Sequence, residues 1–211
     1  MSKAKVNTAR PRRRPQHSDD KLLDAATAVF AQAGYAAATV DAIAERGGAT
    51  KPTLYARFGA KADLYRTTVE RERDVFLEQL FSAYGEAAGQ PVTALIERAV
   101  HGWFDYADRR PDGFRLLLAE PHGDVTAGLV EELRATVTDR VTTLIEGAME
   151  RLDQHEPVTA GLVAAMIVGA CVDGARRLQD DPKLTTERAA TVATAFVIGA
   201  TAGLNRPLLD V

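Results

Sequence analysis

Apolar residues recur every three or four positions along most of the chain, which is the spacing of one face of an α-helix. The clearest stripe near the start consists of Leu22, Ala26, Val29 and Phe30. Almost no segment alternates between apolar and polar residues, as a half-buried strand would. The pattern therefore predicts an all-α fold.

The first helix is predicted to begin at Ser18, because a serine hydroxyl can cap the free N–H groups of a helix start. Asp19 and Asp20 fall in its first turn, where the helix dipole favours negative charge. Gly34 is predicted to end this helix, and Thr39 is predicted to cap the next one.

The segment Asp41–Phe58 contains two short helix patterns separated by glycine. Gly47 and Gly48 are predicted to end the second helix, since glycine readily takes the left-handed conformation found just past a helix end. Thr50 is predicted to cap the third helix, and Pro52 is tolerated in its first turn. Two helices joined by a tight glycine turn indicate a helix-turn-helix, whose second helix is sized to enter the major groove of DNA.

Helical spacing continues beyond this segment and is interrupted only at proline and glycine clusters. We expect a basic flexible arm over 1–17, a three-helix DNA-binding head over 18–59, and a larger helical domain for ligand binding and dimerisation over 60–211. The predicted helices of the larger domain are a connecting helix over 60–84, one from Pro91 past Trp103, a short apolar segment over 114–118, one from Leu129 to Leu152, and two over 158–179 and 185–204. Breaks are predicted at 85–90, 111–113, 121–124 and Pro182.

Charge is divided unevenly along the chain, although the net charge is only −3. Residues 1–60 carry ten lysines and arginines against five acidic residues, and the remaining residues carry 16 against 24. A basic start on an acidic body is typical of a DNA-binding head on a body that avoids DNA. The run Arg12, Arg13 and Arg14 is a candidate minor-groove arm; the alternative is a disordered tail without such a role.

Several other classes of protein are disfavoured. The single cysteine, Cys171, allows no disulfide within the chain and suits a reducing cytoplasm. Both long apolar runs, 160–172 and 189–204, are shorter than the ~20 residues that span a bilayer, so we expect a soluble protein without a membrane partner. The four histidines lack metal-ligand spacing, no nucleophile–base arrangement or phosphate loop is evident, and we expect neither a metal, a cofactor nor an enzyme.

The chain resembles the TetR family of bacterial transcriptional regulators. The matching stretches are Phe30–Tyr35, Thr39–Glu45 and Thr50–Phe58, followed by Lys61. The resemblance implies DNA contacts from Thr39, Thr50, Lys51, Thr53, Tyr55 and Lys61. Arg57 is interpreted instead as a solvated residue or a partner in an intramolecular pair.

The last two helices are apolar nearly all round, which predicts burial on more than one side. An intermolecular four-helix bundle would bury them, as is usual in the family; the alternative is the core of a monomer. The expected interface residues are Gly161, Ala165, Gly169, Val197 and Ala200.

The family resemblance also implies a ligand pocket in the larger domain. Its candidate lining is His101, Trp103, Phe104, Phe114, Leu117, Met149, Met166 and Asp173, for which plain core packing is the alternative. Because few of these carry charge, the expected effector is apolar or aromatic.

The leading hypothesis is a homodimeric repressor that a small ligand releases from a palindromic operator. The alternatives are a DNA-binding regulator that is effector-independent or gated by a protein partner, and a helical enzyme or carrier with a vestigial head. The charge division argues against the last.

Overall fold

The computed structural model describes residues 16–85, 91–118, 127–150 and 157–203, and these residues form nine helices. The predicted all-α fold is confirmed, with a helix-turn-helix at the start and a larger helical domain after it. The helices are α1 (Gln16–Ala37), α2 (Val40–Gly47), α3 (Lys51–Phe58), α4 (Lys61–Gly85), α5 (Val92–Arg109), α6 (Pro111–Leu117), α7 (Ala127–Glu150), α8 (Pro157–Asp180) and α9 (Thr186–Gly203).

The caps predicted for the head are present. The hydroxyl of Thr39 accepts a hydrogen bond from the backbone N–H of Ala42 at 3.2 Å. Gly48 ends α2 with φ of 66°, a left-handed conformation that favours glycine. Thr50 caps α3, accepting a hydrogen bond from the N–H of Thr53 at 3.4 Å. These local bonds fix the turn between α2 and α3.

The first helix departs from its predicted limits at both ends. It begins at Gln16, two residues before Ser18, so the predicted end of the arm falls inside α1. Gly34 interrupts the helix with φ of 71°, as expected of a helix-ending glycine, but the chain then resumes helical structure as far as Ala37. This kink places Tyr35 against Tyr65 of α4, with ring centroids 4.9 Å apart.

Most predicted limits of the later helices hold within a few residues. Pro91 is the N-cap of α5 and not its first helical residue. The break predicted at 111–113 is wrong, because these residues belong to α6. The chain instead leaves helical geometry one residue earlier, at Arg110, which ends α5 and precedes α6. Gly85 closes α4 instead of starting a loop. The other predicted loop residues, 86–90 and 121–124, lie outside the described residues, as does Leu152.

The head and the larger domain share one hydrophobic core. Helix α4 runs from the head into the larger domain and packs on both α1 and α5. Helix α6 packs against α1, so the larger domain touches the head at a second place. Helices α7, α8 and α9 complete the larger domain, with α8 between α7 and α9 and with α9 also against α5.

One helical segment among the described residues, Thr159–Asp180, is by length and composition long and apolar enough to cross a membrane. Its mean hydropathy is 1.4, and 39% of it is buried within the chain. The same test is passed by core helices of soluble proteins, so the segment is weak evidence for a membrane span.

Candidate DNA-binding surface and effector cavity

Helix α3 is held to the head by one side and exposes the other. Leu54 is buried in the core, whereas Thr50, Lys51 and Tyr55 are exposed. Tyr55 is 46% exposed although its side chain is large and aromatic. An exposed ring with a terminal hydroxyl on a short helix is suited to contact a phosphate or a base edge.

The lysine at the start of α3 already has a partner within the head. Lys51 Nζ lies 2.9 Å from Asp41 Oδ2 of α2. Hydrogen bonding to Asp41 and its negative charge raise the pKa of Lys51. The pair is largely exposed, so a DNA phosphate can compete with Asp41 for the same ammonium group.

Two further predicted residues make intramolecular contacts that shape this surface. The hydroxyls of Thr50 and Thr53 lie 2.9 Å apart and form a hydrogen bond. Lys61 Nζ donates to the carbonyl of Ala36 at 3.2 Å and lies 4.6 Å from the ring centroid of Tyr35. Since an ammonium has three donors, these contacts leave Lys61 able to bond a phosphate as well.

Arg57 makes the intramolecular pair that the sequence analysis favoured. Its guanidinium donates to Asp19 Oδ1 of α1 at 2.6 Å. This bond fastens the end of α3 to the first helix. Arg12, Arg13 and Arg14, the candidate minor-groove arm, lie outside the described residues.

A cavity of about 270 Å³ lies in the larger domain. Helices α4, α5, α6, α7 and α8 all contribute side chains to it, so it is adjacent to both helices that reach the head. Its lining is mostly apolar: Phe76, Trp103, Phe114, Leu117, Leu118, Val130, Leu133, Val137, Val168 and Val172, together with the charged residues Glu131, Arg134 and Arg176.

Three predicted lining residues, Trp103, Phe114 and Leu117, line this cavity. Trp103 and Phe76 pack edge to face, with ring centroids 5.0 Å apart. The indole N–H of Trp103 is buried and has no hydrogen-bond partner among the described residues.

Four other predicted lining residues do not line this cavity. Phe104 is buried against Gly174 of α8, and His101 is half-buried elsewhere on α5. Met166 is 61% exposed on α8, and Asp173 is exposed and pairs with Arg176 at 3.3 Å. The reason is that α8 is apolar on most sides, so its sequence does not reveal which side faces inward. The side chain of Met149 lies outside the described part of the structure.

The sequence pattern did not predict the charged residues that line the cavity, because charge on a helix ordinarily indicates a side that faces solvent. Arg134 follows Val130 by four positions and Leu133 by one, so it borders the apolar stripe of α7. That position at the edge of a stripe is the signal that could have found it. Arg134 makes no ion pair with any described residue, whereas Arg176 has Asp173.

Helices α8 and α9 expose apolar side chains that a single chain leaves uncovered. Leu162, Met166, Val192 and Phe196 are each more than half exposed. This set is here called the α8–α9 face.

The predicted dimer residues fall into two groups around this face. Ala165 and Ala200 are exposed, and a Cβ added at Gly161 or Gly169 would meet no atom within 4 Å. Val197 is a correction, because it is only 4% exposed and packs into the core of its own chain.

Comparison with known proteins gives matches over both parts of the chain. Residues 22–68 match the family "Bacterial regulatory proteins, tetR family". Residues 92–199, which are half of the chain, match "Tetracyclin repressor-like, C-terminal domain". The HTH-type transcriptional activator FasR of Mycolicibacterium smegmatis is 29% identical over 180 residues, covering 85% of this chain and 80% of that protein.

Solved structures share the fold. A TetR-like transcriptional regulator from Rhodococcus sp. RHA1 has a TM-score of 0.77 and 24% identity, over 90% of this chain and all of that one. The transcriptional regulator FadR from Bacillus subtilis, in complex with stearoyl-CoA, has a TM-score of 0.69 and 15% identity, over 88% and 97% of the two chains.

Proposed function

Because the chain belongs to the TetR family of bacterial transcriptional regulators, we propose that it is a homodimer and that a small molecule bound in the cavity of its larger domain releases it from its operator. The observation that carries this proposal is the position of the cavity. Its walls include Phe76 of α4 and Phe114 of α6, and these two helices also pack against the head. A ligand that shifts either wall would therefore act on the DNA-binding helices.

The ligand is an amphipathic molecule with an acyl chain and an anionic head. Ten apolar side chains favour the acyl chain of the ligand. The anion is favoured by Arg134, which has no ion pair with a described residue, and the two lining guanidinium groups, of Arg134 and Arg176, outnumber the one lining carboxylate, of Glu131. This revises the expectation of a purely apolar or aromatic effector. The relative FadR was solved with stearoyl-CoA, a molecule of this chemical class. A ligand oxygen within reach of the Trp103 N–H would also satisfy a buried donor, which otherwise costs free energy.

Dimerisation through the α8–α9 face would remove the exposed apolar side chains of Leu162, Met166, Val192 and Phe196 from water. Gly161 and Gly169 would let the second copy approach closely, since neither contacts its own chain on that side. The same burial accounts for the hydropathy of α8 without a membrane. We place the protein in the cytoplasm, where its operator is.

Release from DNA by a ligand is compatible with either repression or activation of the regulated gene. A regulator that blocks a promoter represses it, and release switches the gene on. A regulator that recruits polymerase activates it, and release switches the gene off. Repression is the leading proposal from the family, and activation is the second candidate because the relative FasR is named an activator.

The test measures operator binding with and without ligand. Duplexes that bind the protein are selected from a random-sequence pool, and their affinity is measured with laurate, lauroyl-CoA or neutral dodecanol. We expect the two anionic compounds to weaken binding by roughly 5–150-fold, the usual range of allosteric coupling. Dodecanol has the same chain without the anion and should have little effect.

Arg134→Gln should remove most of the response to laurate, and Arg140→Gln on the same helix is the matched control, since Arg140 does not line the cavity. If operator affinity with each of the three compounds equals that of the ligand-free protein, the result would favour a regulator that is effector-independent or gated by a protein. Failure to select any duplex would contradict the function itself and favour the enzyme or carrier alternative.

A further inference from the structure

A buried carboxylate lies where the head meets the larger domain. Glu72, in the middle of α4, is fully buried, with 0% of its surface exposed. Burial of a charge is costly unless the charge is paired and hydrogen-bonded. Its sequence setting, Glu70-Arg71-Glu72-Arg73, looks like an ordinary solvated side of a helix, so its burial comes from the tertiary packing.

Both oxygens of Glu72 are fully bonded, and the donors come from two sides. Oε1 accepts hydrogen bonds from Arg71 at 2.7 Å and from Arg110 at 2.7 Å. It also lies 3.1 Å from the hydroxyl of Thr27, whose single proton is shared between Oε1 and the Leu23 carbonyl at 2.9 Å. Oε2 accepts from Tyr106 at 3.1 Å and from Arg110 at 2.9 Å. We call these five residues the Glu72 cluster. Burial alone would raise the pKa of Glu72, but the hydrogen bonds and charges of Arg110 and Arg71 outweigh it and hold the pKa below its ordinary value of 4.5.

The Glu72 cluster joins the head to the larger domain. Thr27 belongs to α1, and Arg71 also reaches α1, where it donates to the carbonyl of Asp20 at 3.0 Å and pairs with Asp24 at 2.8 Å. Tyr106 and Arg110 belong to the end of α5, and Arg110 is also the residue before α6. One carboxylate thus connects the first helix of the head with the corner between α5 and α6.

The other side of the cluster touches the cavity wall. The Tyr106 ring packs edge to face on Phe76, with centroids 5.0 Å apart, and Phe76 lines the cavity. Gly113 of α6 packs so closely that an added Cβ would clash with the Glu72 carboxylate and lie 2.9 Å from the Tyr106 hydroxyl. The next residue is Phe114, another wall of the cavity. A movement of Gly113 toward α4 would therefore disturb these bonds.

We propose that the Glu72 cluster is the coupling element of this regulator: it sets the orientation of α1 relative to α5 and α6, and a ligand that displaces Phe76 or Phe114 changes that orientation. The inference rests on the proposed function. Hydrogen bonds to one carboxylate are directional, so the cluster favours discrete arrangements and not a continuous deformation. Its residues are positioning residues, and none of them lines the cavity.

Conservative variants test the two sides of the cluster separately. Thr27→Val removes the hydroxyl on the head side with little change in volume. Tyr106→Phe removes the hydroxyl on the side of the larger domain and keeps the ring packed on Phe76. Thr68→Val is the matched control, because Thr68 is an equally buried threonine on α4 whose hydroxyl bonds to Leu64 within the same helix at 2.6 Å. Circular dichroism and thermal unfolding check that each variant is folded.

The first readout is the ratio of operator affinities without ligand and with saturating laurate or lauroyl-CoA. A purely structural role would lower thermal stability but leave this ratio unchanged. We expect Thr27→Val and Tyr106→Phe each to reduce the ratio by about threefold or more, within the range seen for coupling residues. Thr68→Val should keep the wild-type ratio. Wild-type ratios in both cluster variants would overturn the proposal.

The second readout is the operator affinity of the ligand-free protein, which separates this inference from the proposed function. If neither probe changes operator binding by the wild type, the proposed ligand response fails, but the orientation of α1 can still be tested. In that case Thr27→Val should change the free-protein affinity by about threefold or more while Thr68→Val does not. Equal affinities in the wild type and both threonine variants would overturn the cluster's role.

Discussion

The surface of α3 and the α8–α9 face are both exposed in a single chain, but only the first has side chains that already form intramolecular ion pairs. The cations near α3 have intramolecular partners, Lys51 with Asp41 and Arg57 with Asp19. The α8–α9 face consists of apolar side chains that hydrogen bonds cannot satisfy. DNA must therefore exchange with bonds that the head already makes, whereas a second copy only removes apolar surface from water. The difference predicts strong salt dependence for the first surface and little for the second.

The largest expected effect comes from placing a charge on the α8–α9 face. In Met166→Glu an unpaired carboxylate would be buried in the proposed dimer, at a cost of several kcal/mol, which would weaken dimerisation by roughly 100-fold or more. Operator affinity should fall with it, since both half-sites then cannot be held together. Lys183→Glu, in the exposed turn between α8 and α9, is the control for the added negative charge. Analytical ultracentrifugation that finds Met166→Glu dimeric at micromolar concentration would contradict this role of the face.

Gly169→Leu tests the same face by size. A Cβ at Gly169 meets nothing within 4 Å in the single chain, so the fold should be retained. Overpacking typically costs ~1–3 kcal/mol, and twofold symmetry applies that cost twice in the dimer. Light scattering should show a shift toward monomer with an unchanged circular dichroism spectrum. An unshifted dimer would place the interface elsewhere.

Loss of a DNA contact on α3 should have the next largest effect. Lys51→Ala and Tyr55→Ala should each weaken operator binding by about tenfold or more, since a hydrogen bond to a charged phosphate contributes ~1.5–3 kcal/mol. Both side chains are exposed, so neither change should unfold the head. Lys183→Ala removes a cation from the larger domain and should bind as the wild type does. Wild-type affinity in both α3 variants would mean that another surface contacts DNA.

Removing the intramolecular competitor of Lys51 should have a smaller and opposite effect. Asp41→Asn releases Lys51 from its ion pair and removes a negative charge beside the DNA. Since an exposed ion pair is only weakly stabilising, operator affinity should rise by about two- to fivefold at low salt. Glu45→Gln, an exposed change of charge on the same helix, separates release of Lys51 from the general loss of negative charge. Equal gains in the two variants would show that the Lys51–Asp41 pair is irrelevant.

The smallest expected effect concerns Lys61. Its ammonium is already bonded to Ala36 and lies over Tyr35, so Lys61→Ala should reduce affinity only modestly. Its loss should still flatten the dependence of log affinity on log salt by about 0.9, the value for one phosphate contact. A titration over several salt concentrations measures this slope. An unchanged slope would assign Lys61 a purely intramolecular role.

The head could be predicted from sequence because its structure is determined locally. Thr39, Gly48 and Thr50 act through bonds to residues at most four positions away, and each produced the expected cap. The left-handed conformation of Gly34 followed from the same reasoning, but the predicted end of the helix there was wrong, since helical structure resumes as far as Ala37. In that turn Tyr35 packs against Tyr65, a residue thirty positions away, and no local pattern shows this contact.

The cavity and the Glu72 cluster could be predicted only in part, because they depend on which sides of the helices meet. Trp103 and Phe114 line the cavity, whereas Met166 is exposed, since α8 offers no polar side to orient it. Glu72 lies in a run of alternating acidic and basic residues that resembles a solvated surface. Its burial requires α1, α5 and α6 to converge on α4, and no local pattern carries that information.

The central claim is that occupancy of the cavity controls operator binding, and Trp103 allows both to be followed on one sample. It is the only tryptophan in the chain and it lines the cavity, so its fluorescence reports the ligand directly. The measurement is a laurate titration of the protein bound to its selected duplex, with Trp103 emission and the anisotropy of labelled DNA recorded together. We predict that both signals change with the same midpoint and that operator affinity falls by roughly 5–150-fold at saturation. A saturating change in Trp103 emission with unchanged anisotropy would contradict the account.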